Sequence, residues 1–280
     1  MKSKFSLSVS LAATVAAGLL FCASCKKKDA TDNSGPTDTD AAYASDQVQL
    51  EKAFEDVESI ADQASMDGDM STYRITGGCA TTTYDTASAT RKITIDFGPT
   101  DCLCSDGVYR RGKIIMTYTG HYRDSGYVHT LSFDNYYFND NQLTGTRTVS
   151  NKGKNSSGQS YFSIDVNGAI ILDKSAGTKK WTSSRTRTWT NGESTKTRLD
   201  DIYSVTGSGT VTRVDSSAFT GTITSPLIIA TSCDWITQGT IEIVPSGTGK
   251  TRTLDYGSGT CDAVATLTVG SKSRTITLHR

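Results

Sequence analysis

Between residues 46 and 66 the apolar positions Leu50, Ala53, Phe54, Val57, Ile60, Ala61 and Ala64 recur every three or four residues. That is the helical period. It gathers Glu51, Lys52, Glu55, Glu58 and Asp62 on the other side, and Ser45 or Asp46 stands where a first-turn cap belongs. An acidic outer face suits a helix packed on a sheet. Helices that lie on membranes usually carry Lys and Arg there.

From about residue 72 the period changes to two. Arg91 to Phe97, Lys113 to Thr119, Tyr127 to Phe138 and Leu143 to Ser150 alternate, as do Trp181 to Thr190, Thr240 to Val244 and Thr251 to Tyr256. Turn chemistry separates them. Asn167-Gly168 and Asn191-Gly192 supply the positive φ of tight hairpins, and Asn139-Asp140-Asn141, residues 246–249 and Gly270-Ser271 read similarly. About a dozen hairpin-linked strands predict a mostly β fold. The expected form is an antiparallel meander curled into a half-open barrel or sandwich, with the 46–66 helix packed on it, in a single domain over residues 45–280. No βαβ pattern occurs, so phosphate-binding α/β folds are not expected.

The first 25 residues follow a different rule. Lys2 and Lys4 precede an apolar run from Leu11 to Phe21, and Ala23-Ser24 sets a small-residue cleavage point before Cys25. This arrangement resembles the bacterial lipoprotein signal, in which residues 1–24 are removed and the cysteine is acylated. The resemblance implies a lipid anchor on Cys25 and attachment to a membrane through it. An ordinary secretory signal cut nearby is the alternative. Either cleavage removes the one long apolar run, so no spanning helix is expected. Lys26 after the acceptor implies, by the same resemblance, sorting to the bacterial outer membrane, with the final face open. Residues 25–44, with Lys26-Lys27-Lys28 and scattered Asp, Ser, Gly and Pro, read as a flexible tether.

Composition refines this picture. The formal net charge is +0, so no global field points to nucleic acid as a partner. Apolar residues make up 36%, with Thr, Ser and Gly filling the gap, as suits strands with one wet face. Beyond the anchor stand Cys79, Cys102, Cys104, Cys233 and Cys261, and in an oxidising envelope compartment pairing is the default.

Two segments repeat each other. Thr94-Ile95-Asp96-Phe97-Gly98 runs to Cys102, and Thr253-Leu254-Asp255-Tyr256-Gly257 runs to Cys261, each with an upstream cysteine, Cys79 or Cys233. The turn near Gly247 lies midway between Cys233 and Cys261, so antiparallel pairing sets those two opposite each other. The expected bridges are Cys79–Cys102 and Cys233–Cys261, leaving Cys104 over, with Cys79–Cys104 as the alternative. Each closes a loop of about 25 residues, worth ~3 kcal/mol in the chain-entropy model. Asp96 and Asp255 invite a paired-acid reading, but an Asp before a glycine turn more often accepts from backbone N–H groups.

Other chemistry is sparse. The stretch 246–251 imitates a phosphate loop, yet Val244 stands where a glycine is required and a strand pattern follows. Asp101-Cys102-Leu103-Cys104 lacks the second ligand pair of a zinc site, so no metal or cofactor is expected. His121, His129 and Asp124 lie near one predicted turn, where a general acid–base site is conceivable. The better candidate is the strand with Trp181, Arg185, Arg187 and Trp189 on one face, able to stack on sugars or hold a partner loop. Against it stands the reading of Trp181 and Trp189 as core-facing residues of that strand, with the arginine stems packed alongside.

From Cys79 onward the hairpin patterns resemble a group of envelope lipoproteins of unknown function from two-membrane bacteria. The TIDFG motif followed by cysteine and the strand Gly145 to Gly153 (GTRTVSNKG) carry the resemblance. It brings no catalytic residues. The expectation is a non-enzymatic, membrane-anchored envelope lipoprotein binding a protein partner, a glycan or an apolar ligand. The alternatives are an assembly subunit that uses exposed strand edges, and a hydrolase.

Overall fold

The structure, a computed structural model, describes residues 35–67, 77–88, 90–195, 197–247 and 249–279. The signal, Cys25 and the start of the tether lie outside the described residues.

Among the described residues one α-helix, α1 (Asp38–Asp67), precedes fourteen strands. It begins earlier than the apolar period indicates, so residues 38–44 are helix rather than tether. The reason is local. The Thr37 amide donates to Asp40 Oδ2 at 2.9 Å, and the Asp40 amide donates back to Thr37 Oγ1 at 3.2 Å. This reciprocal box satisfies two donors of the first turn. Tyr43, on the added segment, then packs on Phe219 with ring centroids 5.4 Å apart.

The strands are β1 (Thr81–Asp85), β2 (Arg91–Asp96), β3 (Cys102–Leu103), β4 (Tyr109–Thr119), β5 (Val128–Phe138), β6 (Asn141–Lys154) and β7 (Ser160–Ile171). The second half holds β8 (Thr178–Asn191), β9 (Ile202–Thr212), β10 (Ala218–Ala230), β11 (Gln238–Pro245), β12 (Arg252–Ser258), β13 (Val264–Val269) and β14 (Lys272–Thr277). They form one 14-stranded antiparallel sheet in which each strand pairs its sequence neighbours, except that β2 pairs β4 directly and short β3 pairs β4 alone. The sheet does not close: β1 and β14 stand at its two ends. The fold is therefore the half-open form of the expected meander, not a sandwich of two sheets.

Register shifts bend the sheet. Between β4 and β5 the register slips after Arg111, where Gly112 has φ 81° and a side chain would meet the Asn135 carbonyl at 1.9 Å. Only glycine serves at such a bulge. Asn167-Gly168, in contrast, is not a turn. It lies inside β7, where Gly168 pairs with Gly145 and Trp181 on the flanking strands. A Cβ there would lie 2.3 Å from Phe54 Cζ, so this glycine makes room for the helix.

The inner face of the sheet wraps α1. Asp38 pairs with Arg274 of β14 at 2.7 Å, and Tyr84 of β1 donates to the Ala64 carbonyl at 2.8 Å, so the helix reaches both ends of the sheet. Leu50, Phe54, Ile60, Ala61 and Ala64 are fully buried, as expected. The acidic side is not the outer face that the sequence pattern suggests, because Glu51, Glu58 and Asp62 are buried too. A sheet that curves round a helix leaves it almost no outer face.

Candidate functional site

Each buried acid of α1 meets a cation supplied by the sheet or by the loops that join its strands. Asp40 accepts from Arg252 at 2.8 Å, and Asp46 from Lys179 at 2.7 Å and Arg213 at 2.5 Å. Arg213 and Arg252 also close on the Tyr43 ring, at 4.3 and 3.9 Å from its centroid. Further along, Glu51 pairs with Arg185, Glu55 with Arg147 at 3.0 Å, and Asp62 with Arg198 at 2.9 Å.

Glu58 is the hub. Its Oε2 lies 3.1 Å from both Arg147 Nε and His129 Nε2, and its Oε1 lies 3.7 Å from Arg187 Nη2. Burial pushes the Glu58 carboxyl up, but His129 and Arg147 outweigh it and hold the group well below the usual carboxylate range. One turn later the balance reverses. Burial raises the Asp62 carboxyl more than Arg198 lowers it, and the Glu58 charge adds to the rise.

The strand singled out for its aromatic and arginine residues faces this interior. Trp181, Arg185, Arg187 and Trp189 are all buried. Arg185 lies over the Trp181 ring at 5.0 Å, and Arg187 sits between Phe162 and Tyr203 while donating to Tyr122 Oη at 2.8 Å. These residues hold the helix and present no exposed stacking face. The histidines do not converge either. His129 is sealed against α1, whereas His121 is exposed in a turn closed by the Asp124 amide donating to the His121 carbonyl. Asp96 and Asp255 accept from the Gly98 and Gly257 amides, each at 2.8 Å, which is the turn role.

The bridges are Cys79–Cys102 and Cys233–Cys261, with Cα atoms 5.7 and 5.8 Å apart. Cys104 is free and buried, and burial pushes its thiol up. The stretch 246–251 joins β11 to β12 and leads into a strand, not the helix that a phosphate loop needs.

One strip of α1 stays half-open to solvent, through Lys52, Glu55, Asp56, Ser59 and Gln63. It forms one wall of a cleft of about 490 Å³. The facing wall is mainly apolar, with Leu199, Ile229, Trp235, Ile236 and Leu278, and Tyr203 and Tyr256 deeper in, but it also includes Arg198, Thr231 and Asp234. Glu58 and Arg187 lie among the lining residues.

The second bridge shapes that apolar wall. Cys233 lines the cleft, and its bond to Cys261 ties the segment after β10 to the loop between β12 and β13. The segment is pinned further by the Cys233 amide donating to the Ala230 carbonyl at 2.9 Å and the Gly259 amide to the Thr237 carbonyl at 2.8 Å. This cleft had no compact signal in the sequence. Its residues come from α1, four strands, two loops and Leu278 after β14, and only the cysteine spacing marked one of its walls.

Among the described residues no cluster of His, Cys, Asp or Glu suits a metal ion, and no helix is long and apolar enough to cross a membrane. Comparison with protein-family models, curated proteins and solved structures finds no match for this chain.

Proposed function

We propose that this chain is a lipid-anchored, non-enzymatic envelope protein that binds an apolar ligand in the cleft between α1 and residues 229–236. The cleft carries the reading. There Trp235, Ile236, Leu199 and Leu278 face a space of about 490 Å³ beside α1. That volume falls within the ~300–1,000 Å³ of small-molecule sites, which are mostly apolar with a few polar groups. Leu199, 63% exposed at this site, is an apolar side chain that a ligand would cover. What favours binding over catalysis is the separation of His121 from His129 and the involvement of the buried acids in structural ion pairs.

The anchor rests on the first 25 residues, whose resemblance to a lipoprotein signal supports Cys25 as the acylated residue and the outer membrane as its place. Radiolabelled palmitate should enter the wild-type chain and not a Cys25→Ala variant; labelling that persists in the variant contradicts the anchor. For the cleft, the direct test is titration of the domain with 1-aminoanthracene, a neutral fluorescent apolar probe. Trp235 is the half-buried tryptophan of the cleft while Trp181 and Trp189 are sealed, so quenching of tryptophan emission reports on this wall. Saturable quenching at one site per chain is expected. A weak response that rises linearly without saturation contradicts the reading.

A further inference from the structure

A second cavity, of about 450 Å³, lies beside the first part of α1. Ala41, Ser45 and Val48 of the helix border it, opposite Arg274 and Ile276 of β14 and Leu278 just after that strand. The helical border of the cleft continues the same series through Val48, Lys52, Glu55, Ser59 and Gln63. Spacings of three and four residues put all of these positions on one stripe of α1. The two cavities are therefore consecutive stretches of one groove, and they share two walls, Val48 and Leu278.

Both shared residues are buried, Val48 at 6% and Leu278 at 5% exposed, so the groove is closed where they stand. The Leu278 amide donates to the Ala263 carbonyl at 2.7 Å, which fixes the side chain in that place. The other end of the cleft is open. Arg198 pairs with Asp62 at 2.9 Å, and this sets Leu199, 63% exposed, beside the last turns of α1. From Val48 to Gln63 the helix advances about 22 Å. A cleft of that length, open at Leu199 and blocked at Leu278, suits a linear chain that enters end-on.

We propose that the cleft takes a single-chain amphiphile tail-first from the Leu199 end, and that Leu278 beside Val48 sets the greatest chain length it accepts. The proposal rests on the cleft being a ligand site. Each methylene buried in the cleft adds affinity, roughly tenfold for every two. A methylene that meets Leu278 finds no space and adds none. Leu278→Ala joins the cleft to the second cavity, so that further length is bound again.

Displacement of 1-aminoanthracene by lysophosphatidylcholines, from octanoyl to stearoyl and below their micelle-forming concentrations, is compared at pH 7. Affinity for the wild type is expected to climb with chain length and then level off. In Leu278→Ala the shortest ligand should bind more weakly, through the lost wall contact, and the longest at least tenfold more tightly than in the wild type. Ser45→Trp fills the second cavity from an exposed position on the helix, and added to Leu278→Ala it should cancel that gain. Melting curves show whether the variants fold; should Leu278→Ala not fold, Val48→Ala opens the same partition from the helix and is read in its place. A wild-type affinity that climbs through the longest chain, a levelling point that the opened partition does not move, or a gain that survives Ser45→Trp overturns the proposal and leaves the cleft reading standing. Failure of the probe itself to bind overturns the cleft reading as well.

Discussion

Glu58 Oε2 and His129 Nε2 lie 3.1 Å apart, on residues separated by 71 positions and both sealed from solvent. The contact joins the helix to the fifth strand at the point where Arg147 and Arg187 also converge. Buried ion pairs of this kind are weak sources of net stability, because desolvation offsets attraction, but breaking one strands a charge. Glu58→Gln leaves Arg187 without its carboxylate and takes one of two from Arg147, so a loss of about 3–5 kcal/mol is expected in chemical denaturation. Asp62→Asn is expected to cost less, since the native site disfavours ionised Asp62 and Arg198 is only partly buried.

The same pair sets opposite pH dependences. The Glu58 carboxyl is lower in the folded chain than its ordinary 4.5, so its contribution is present above that value and lost as pH falls. Asp62 is raised above its ordinary 3.8, so the folded state binds that proton more tightly and gains relative stability in acid, a gain lost as pH rises through the raised value. Melting temperature should therefore fall below about pH 4.5 in the wild type, because Asp40 and Glu193 are lowered as well. The fall should be shallower in Glu58→Gln and steeper in Asp62→Asn. Thermal scans from pH 3 to 7 decide it, and the reverse order contradicts the assignment.

Gly168 is a test of how closely the sheet approaches the helix. An added methyl would lie 2.3 Å from Phe54 Cζ and 2.7 Å from the Thr144 carbonyl. Gly168→Ala is expected to cost about 1–3 kcal/mol by overpacking. Adding Phe54→Leu should recover part of that loss, giving a double-mutant coupling of opposite sign to the single effects. Strict additivity would mean that the crowding is absent.

The cysteines make a further prediction. Apart from Cys22 and Cys25, one free thiol should appear in the unfolded, unreduced chain, and it should be Cys104. In the folded protein at pH 7 this thiol should be unreactive toward Ellman's reagent, since it is buried and burial raises it. Cys233→Ser with Cys261→Ser should lower stability by about 3–4 kcal/mol in the chain-entropy model and weaken probe binding, because the bridge holds the apolar cleft wall. Cys79→Ser with Cys102→Ser should cost similar stability and leave probe binding unchanged.

The alternation of apolar and polar residues was enough to read the meander, since each strand buries one face and the hairpins are local. It placed the apolar side of the helix inside but put the acidic side outside, whereas the structure buries that side as well. Glu51, Glu58 and Asp62 are charged, and charge is ordinarily a signal for solvent; only arginines far away in sequence, on β6, on β8 and in the loop before β9, reverse that meaning. Arg185 and Arg187 alternate with threonine in the period of a buried face, and that pattern was legible. Thr37 and Asp40 were a visible capping signal, obscured by the polar segment around them. Gly168 was misread because Asn-Gly serves a turn by conformation, whereas here the glycine serves by its lack of volume. The cleft was not legible at all, since it exists only where strands and loops distant in sequence meet α1.

The central claim is that the space beside the half-open strip of α1 holds a ligand. Ser59 lines it from that strip and takes no part in the ion pairs that hold the helix, so Ser59→Trp should fill the cleft without disturbing the core. Titration of 1-aminoanthracene into wild type and Ser59→Trp, with melting curves on the same samples, is the decisive measurement. The account predicts saturable binding to the wild type, at least a tenfold weaker affinity in the variant, and melting temperatures within a few degrees of each other. Equal affinity in two equally stable proteins would contradict it.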